Sequence, residues 1–379
     1  LKAGSVLAAL VCSALPLAAA AWIFRRVRRE RHVDTRVALA VATAGVGTGA
    51  LGFFAERSFF GWTGLSIEVT PGAGASALVA LALFASPLEE ALKALVLAPL
   101  VVARRIDGPG LGTLYAVLAA AGFAAAETAL FVGTAELGVL PIVRALAGLP
   151  AHFFCAGLWG YALGERIRSD ARWFWPAWVA AVVVHALYDH IVFGRGPGML
   201  AVALPMLGGM ALIAYSAFRD IAPRNPDDHP SSLLPEPPSL RAMRRALQRS
   251  DRPIVLRWVI GGAFVNVGAV IVCVGVAVFL AHRLGLDLSL ADEADMRSNG
   301  PLALLGAAVL AAFPLAGYLV ARASGATSVL EPAFAASLAI FGTVAALSVT
   351  APTAVVFALA VAPVAFGLAC GGAWFGMDV

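Results

Sequence analysis

Glu89, Glu90, Glu127, His152, His185 and Asp189 are ionisable side chains embedded in apolar runs, and all six fall on four consecutive runs. A charge at bilayer depth is costly and faces a partner or a watery cavity, so a cluster there marks a functional site. Carboxylates and imidazoles are the groups that activate water, carry protons and hold divalent cations. His185 and Asp189 are four residues apart, as are Glu89 and Lys93, which puts each pair on one helix face. Either pair alone could be internal glue between membrane helices. The whole set is harder to explain that way, because Glu90 and Glu127 leave more carboxylates than Lys93 can neutralise. His190 points about 100° away from Asp189 on a helix and falls toward the outer interface, so it reads as a bystander.

The elements that must position these groups follow from composition. Of 379 residues, 60% are hydrophobic and 13% charged, too little polar surface for a soluble globule. The formal net charge of +4 sits in short arginine clusters between apolar runs, where topology signals belong, so no nucleic-acid partner is expected. Cys12, Cys155, Cys273 and Cys370 are far apart and each lies in an apolar run, which suits neither a metal framework nor disulfides.

A helix needs about 20 apolar residues to cross the hydrocarbon core. Eleven runs qualify: 6–24, 36–55, 75–103, 111–133, 139–163, 174–193, 198–218, 254–281, 301–320, 333–350 and 353–375. The expected fold is therefore an all-α, polytopic transmembrane bundle of about eleven spans, with spans three to six as its catalytic core. Run 6–24 is long for a signal peptide and is followed by a basic stop, so it is expected to be an uncleaved first span. Placing the N-terminus outside and the C-terminus inside puts 20 of the 27 lysines and arginines in the cytoplasm. In that frame the six charges lie about 17 to 24 Å from the cytoplasmic helix ends, a single layer. Gly122, Gly157, Gly160 and Gly164 are small enough to let the helices carrying them approach closely.

Three regions are expected: a seven-span bundle over 1–219 with a core at 75–195, a cytoplasmic stretch at 220–253, and a four-span domain at 254–379. Six prolines between 223 and 238 make the start of the middle stretch an extended linker. From Ser239, Leu240, Met243 and Leu247 alternate with arginines as in a basic amphipathic helix on an anionic membrane surface, although a solvated connector fits equally.

The ordered set Glu89-Glu90-Ala91-Leu92-Lys93, Gly122-Phe123 with Glu127, His152 followed by Gly160 and Gly164, and His185-Ala186-Leu187-Tyr188-Asp189 resembles the PrsW family of bacterial intramembrane proteases. That family is related to the CAAX prenyl endopeptidases and to the bacteriocin-processing and immunity proteins. The resemblance covers about residues 75–195. It implies a bacterial cytoplasmic membrane enzyme that hydrolyses a peptide bond of a membrane-bound protein, the family's founding activity being the first cut in an anti-sigma factor. Thr128 and Asp189 stand where the family commonly has asparagine. The four C-terminal runs match no pattern of that family.

For amide hydrolysis, Glu89 or Glu90 is the expected base, with the other contacting Lys93 or a neighbouring helix. His152, His185 and Glu127 would form a two-histidine, one-glutamate zinc set, with Asp189 as a further ligand or an orienting acceptor. Without a metal, the histidines would donate to the oxyanion and Glu127 would hold an imidazole in place. A proton- or cation-coupled transporter and a non-catalytic scaffold of the same fold are the competing classes. The apolar composition leaves the oligomeric state and the role of the C-terminal runs open.

Overall fold

The computed structural model describes residues 3–28, 33–65, 79–134, 139–169, 173–192, scattered positions in 207–217, and residues 253–285, 299–350 and 352–377. Among these the secondary structure is helical, with no strand. The helices are α1 (Ala3–Arg28), α2 (Thr35–Thr63), α3 (Ser86–Val102), α4 (Pro109–Thr134), α5 (Val139–Ser169), α6 (Phe174–Val192), α7 (Leu256–Arg283), α8 (Asn299–Ser324), α9 (Leu330–Thr350) and α10 (Pro352–Gly376). Six described segments are long and apolar enough to cross a membrane: Leu7–Arg28, Thr35–Thr63, Pro109–Gly133, Leu256–Arg283, Leu304–Ser324 and Leu330–Ser348. The protein is a multi-pass integral membrane protein. Most of the expected seventh run and the whole 220–252 stretch lie outside the described residues.

Helix ends have local causes. Asp34 caps α2 by accepting a 2.8 Å bond from the Arg36 amide. At the other end Gly64, at φ 68, takes the left-handed conformation that closes helices, and its N–H returns to the Phe60 carbonyl. Thus α2 runs eight residues beyond its apolar stretch and carries Glu56 with it. A single π turn, Leu81–Ala85, precedes α3, which has Pro87 in its first turn. Such turns are frequent at functional sites, and this one comes just before Glu89 and Glu90.

The chain forms two compact units, Leu1–Pro197 and Gly198–Val379. In the first, α4 is the central helix, packed against α1, α2, α3 and α5. From Leu114 to Ala126 it is buried all round, as its uninterrupted apolar sequence requires. Small residues make that packing possible. A side chain at Gly122 would strike the backbone of Ala42 and Val46, and one at Gly49 the backbone of Phe123. Gly112 and Gly164 likewise meet backbone across the contact of α4 with α5. In the second unit α8 and α10 approach by the same device, Gly317 against Ala369 and Gly372 against Pro314. With lipid on the outside, close backbone approach supplies the van der Waals gain that water-driven burial gives soluble proteins.

Candidate active site

Glu89, Glu90 and Lys93 lie on one side of α3, and all three are buried. Lys93 Nζ is a pure donor with three protons, and it finds three acceptors. It donates to Glu90 Oε1 at 2.8 Å and Glu89 Oε2 at 3.3 Å, and lies 2.8 Å from His152 Nδ1. The ammonium also sits 4.6 Å from the centre of the Phe123 ring on α4. Since Lys93 can only donate, His152 Nδ1 accepts, and a neutral His152 then carries its proton on Nε2, 3.0 Å from Glu127 Oε2.

Glu90 is the most fully engaged group. Its Oε1 faces Lys93 and His185 Nδ1, both at 2.8 Å, and its Oε2 accepts from Trp159 Nε1 at 2.8 Å. A carboxylate accepts, so His185 Nδ1 carries the shared proton and a neutral His185 turns a lone pair outward on Nε2. That Nε2 is buried and has no hydrogen-bond partner. It lies 3.4 Å from Asp189 Oδ2 and 3.7 Å from Glu89 Oε2. Three acceptors so close together repel one another unless a proton or a cation sits among them.

The structure brings all six predicted residues and Lys93 together, one from α4, one from α5, two from α6 and three from α3. Glu89 and Glu90 do not divide as simply as expected, because Lys93 contacts both. They differ in what else they touch: Glu90 is saturated, whereas Glu89 Oε2 lies 3.7 Å from an imidazole nitrogen of each histidine. Glu89, His152 and His185 offer ligand atoms within 4.8 Å of one another, and this buried trio could hold a metal. Its chemistry fits a divalent cation: two imidazoles, one carboxylate and an orphaned Nε2, with Glu90 behind His185 as the carboxylate that fixes a ligating histidine. Lys93 would have to release His152 Nδ1 for that atom to serve as a ligand. Glu127, expected in the ligand set, lies beside His152 Nε2 with its side chain 32% exposed.

Two contributors escaped the sequence reading. Trp159 is completely buried, and an indole between Gly157 and Gly160 carries no sequence signal that separates a site donor from core packing. Glu56 lay just past the apolar run assigned to α2; the signal that could have found it is the Gly45, Gly49, Gly52, Glu56 spacing along one helix face. His190, expected near the outer interface, is buried at 2% exposure.

Comparison with curated proteins and with solved structures finds no match. Residues 33–216 match the family described as PrsW family intramembrane metalloprotease. The matched segment contains every residue of the cluster, from Glu89 to Asp189. Over residues 33–216, the chain is similar to the PrsW family of intramembrane metalloproteases.

Proposed function

We propose that this chain is an endopeptidase that hydrolyses a peptide bond of a membrane-bound protein inside the bilayer, with Glu89, His152 and His185 holding a zinc ion. The observation that carries this reading is the buried, unpartnered His185 Nε2, which faces Glu89 and Asp189 while Glu90 fixes the opposite ring nitrogen. When bound, the cation would polarise the scissile carbonyl and make water nucleophilic at neutral pH.

The protein groups divide the remaining work. Glu127 is the partly exposed carboxylate of the cluster, and its position beside His152 Nε2 suits it to take a proton from the attacking water and return it to the leaving amine. This assignment replaces Glu89 or Glu90 as base, because Glu90 already faces three donors and Glu89 is drawn between the two imidazoles. Glu90, anchored by Trp159 and Lys93, orients His185. Asp189 stands beside His185 Nε2 and offers a further acceptor there. Lys93 offsets part of the carboxylate charge, leaving an acidic pocket that attracts a cation.

In the membrane we place the chain as eleven spans, N-terminus out and C-terminus in, in a bacterial cytoplasmic membrane. Spans three to six form the protease core at 75–195 within 1–219. The stretch 220–253 is a cytoplasmic connector, and 254–379 is a separate four-span domain. A single-pass, anti-sigma-factor-like protein is the substrate class proposed. The test is cleavage of transmembrane substrates by the purified protein in nanodiscs. Wild type should cut, and Glu127→Gln should lose about 10²- to 10⁴-fold in kcat. Undiminished cleavage by Glu127→Gln would remove it as the base.

A further inference from the structure

The sequence motifs place four carboxylates at the site, and the structure brings a fifth to it from a helix that carries none of those motifs. The small-residue face of α2 sets its position. Gly49 rests on the backbone of Phe123, and a side chain at Gly52 would meet the Phe123 ring and Leu92. One turn further along that face is Glu56. One turn beyond Phe123 on α4 is Glu127, and about one turn before Leu92 on α3 is Glu89. Glu56 thus lies one turn past the contact of α2 with Phe123 and Leu92, on the side toward Glu127 and Glu89. Its Oε1 is buried and has no hydrogen-bond partner.

Charge makes this position consequential. Glu56, Glu89, Glu90, Glu127 and Asp189 put five carboxylates around one ammonium, and that ammonium is already spent on Glu89, Glu90 and His152. A helix that only needed to pack here would place another small or apolar residue after Gly45, Gly49 and Gly52. Instead it ends its tight contact with an acid whose oxygen is withdrawn from water. Glu56 Oε1 and His185 Nε2 are both buried atoms without hydrogen-bond partners.

We propose that Glu56 is a positioning residue of the site, a carboxylate supplied by α2 that strengthens the hold of the Glu89, His152 and His185 trio on a divalent cation. This rests on the metal reading above and adds to it a residue outside the sequence motifs. Glu56 acts on the cation from behind the trio, through its charge and through the carboxylates it crowds, as outer carboxylates do in other metal sites. The neighbouring Arg57 is exposed and does not share this place.

The experiment uses the full chain in nanodiscs, stripped of metal and titrated with zinc against a chromophoric chelator. Glu56→Gln should weaken zinc binding about 10- to 100-fold. Glu56→Asp, which keeps the charge, should recover most of that loss. Glu165→Gln serves as the control, because Glu165 accepts from Arg168 at 3.1 Å in the last turn of α5 and should leave zinc affinity unchanged. His185→Ala should abolish binding and so locate it. Zinc affinity in Glu56→Gln equal to wild type, with His185→Ala still defective, overturns the role of Glu56 and leaves the trio standing. No zinc binding by wild type overturns both. Should Glu56→Gln fail to fold, carbodiimide labelling of wild type decides. Zinc should protect Glu56 together with Glu89, and equal labelling of Glu56 with and without zinc contradicts the proposal.

Discussion

In Leu1–Pro197 the buried side chains include Glu89, Glu90, Lys93, His152, His185 and Asp189, all converging from three helices. In Gly198–Val379 the buried polar groups that the structure describes are Asn266, Ser324, Ser328 and Glu331. Two of these bond to backbone: Asn266 donates to the Gly262 carbonyl one turn away, and Glu331 accepts from the Val255 amide ahead of α7. Both units nevertheless use the same packing device, glycine against backbone across a helix pair. Close helix approach is therefore a general solution to packing in lipid, and it becomes a site only where the approaching faces also carry groups that need one another.

The largest expected contrast comes from chemistry-bearing residues. Glu89→Gln and His185→Ala should each cost at least about 10²-fold in kcat/KM, whereas Glu331→Gln should leave cleavage per folded molecule unchanged, by single-turnover assay in nanodiscs. Equal losses from both units would erase the distinction. Metal removal sharpens it: chelation should bring wild-type cleavage down to the level of His185→Ala, and zinc should restore it.

A smaller effect is expected one step back from the trio. Trp159→Phe keeps the aromatic bulk but removes the donor to Glu90, a bond to a charged group worth about 1.5–3 kcal/mol. It should lower kcat/KM by roughly 10- to 100-fold through a loosened His185, with KM little changed. Packing substitutions come next. Gly122→Val and Gly372→Val should each destabilise by about 1–3 kcal/mol, because both new side chains meet backbone atoms. Thermal denaturation followed by cleavage assays should show activity per folded molecule falling in Gly122→Val and holding in Gly372→Val. At the bottom of the scale, a side chain at Gly47 meets nothing within 4 Å, so Gly47→Ala should change stability by less than about 1 kcal/mol, in the favourable direction.

Much of the first unit was legible because its cues are local and mutually reinforcing. An acid in an apolar run is costly, so Glu89, Glu127 and Asp189 announce themselves, and four-residue spacing pairs His185 with Asp189. Sequence could not show which partner each group takes. That Glu90 is saturated while Glu89 faces both imidazoles depends on Trp159 reaching from α5, a contact 69 residues distant with no spacing rule behind it. The same limit hid Glu56. Apolar length ended its helix at residue 55, whereas the helix runs on to the Gly64 cap, and only packing shows which face of that extra stretch is buried. In the second unit the helices were readable from hydropathy, but alanine and glycine faces carry no code for what they contact.

The measurement closest to the central claim is cleavage of one transmembrane substrate by metal-stripped, purified chain, with zinc added back to wild type and to Glu89→Gln in parallel. If Glu89, His152 and His185 form one catalytic centre, zinc restores wild type and leaves Glu89→Gln at least about 10²-fold slower. Full cleavage by the metal-stripped wild type, or a wild-type rate in Glu89→Gln, would contradict the account.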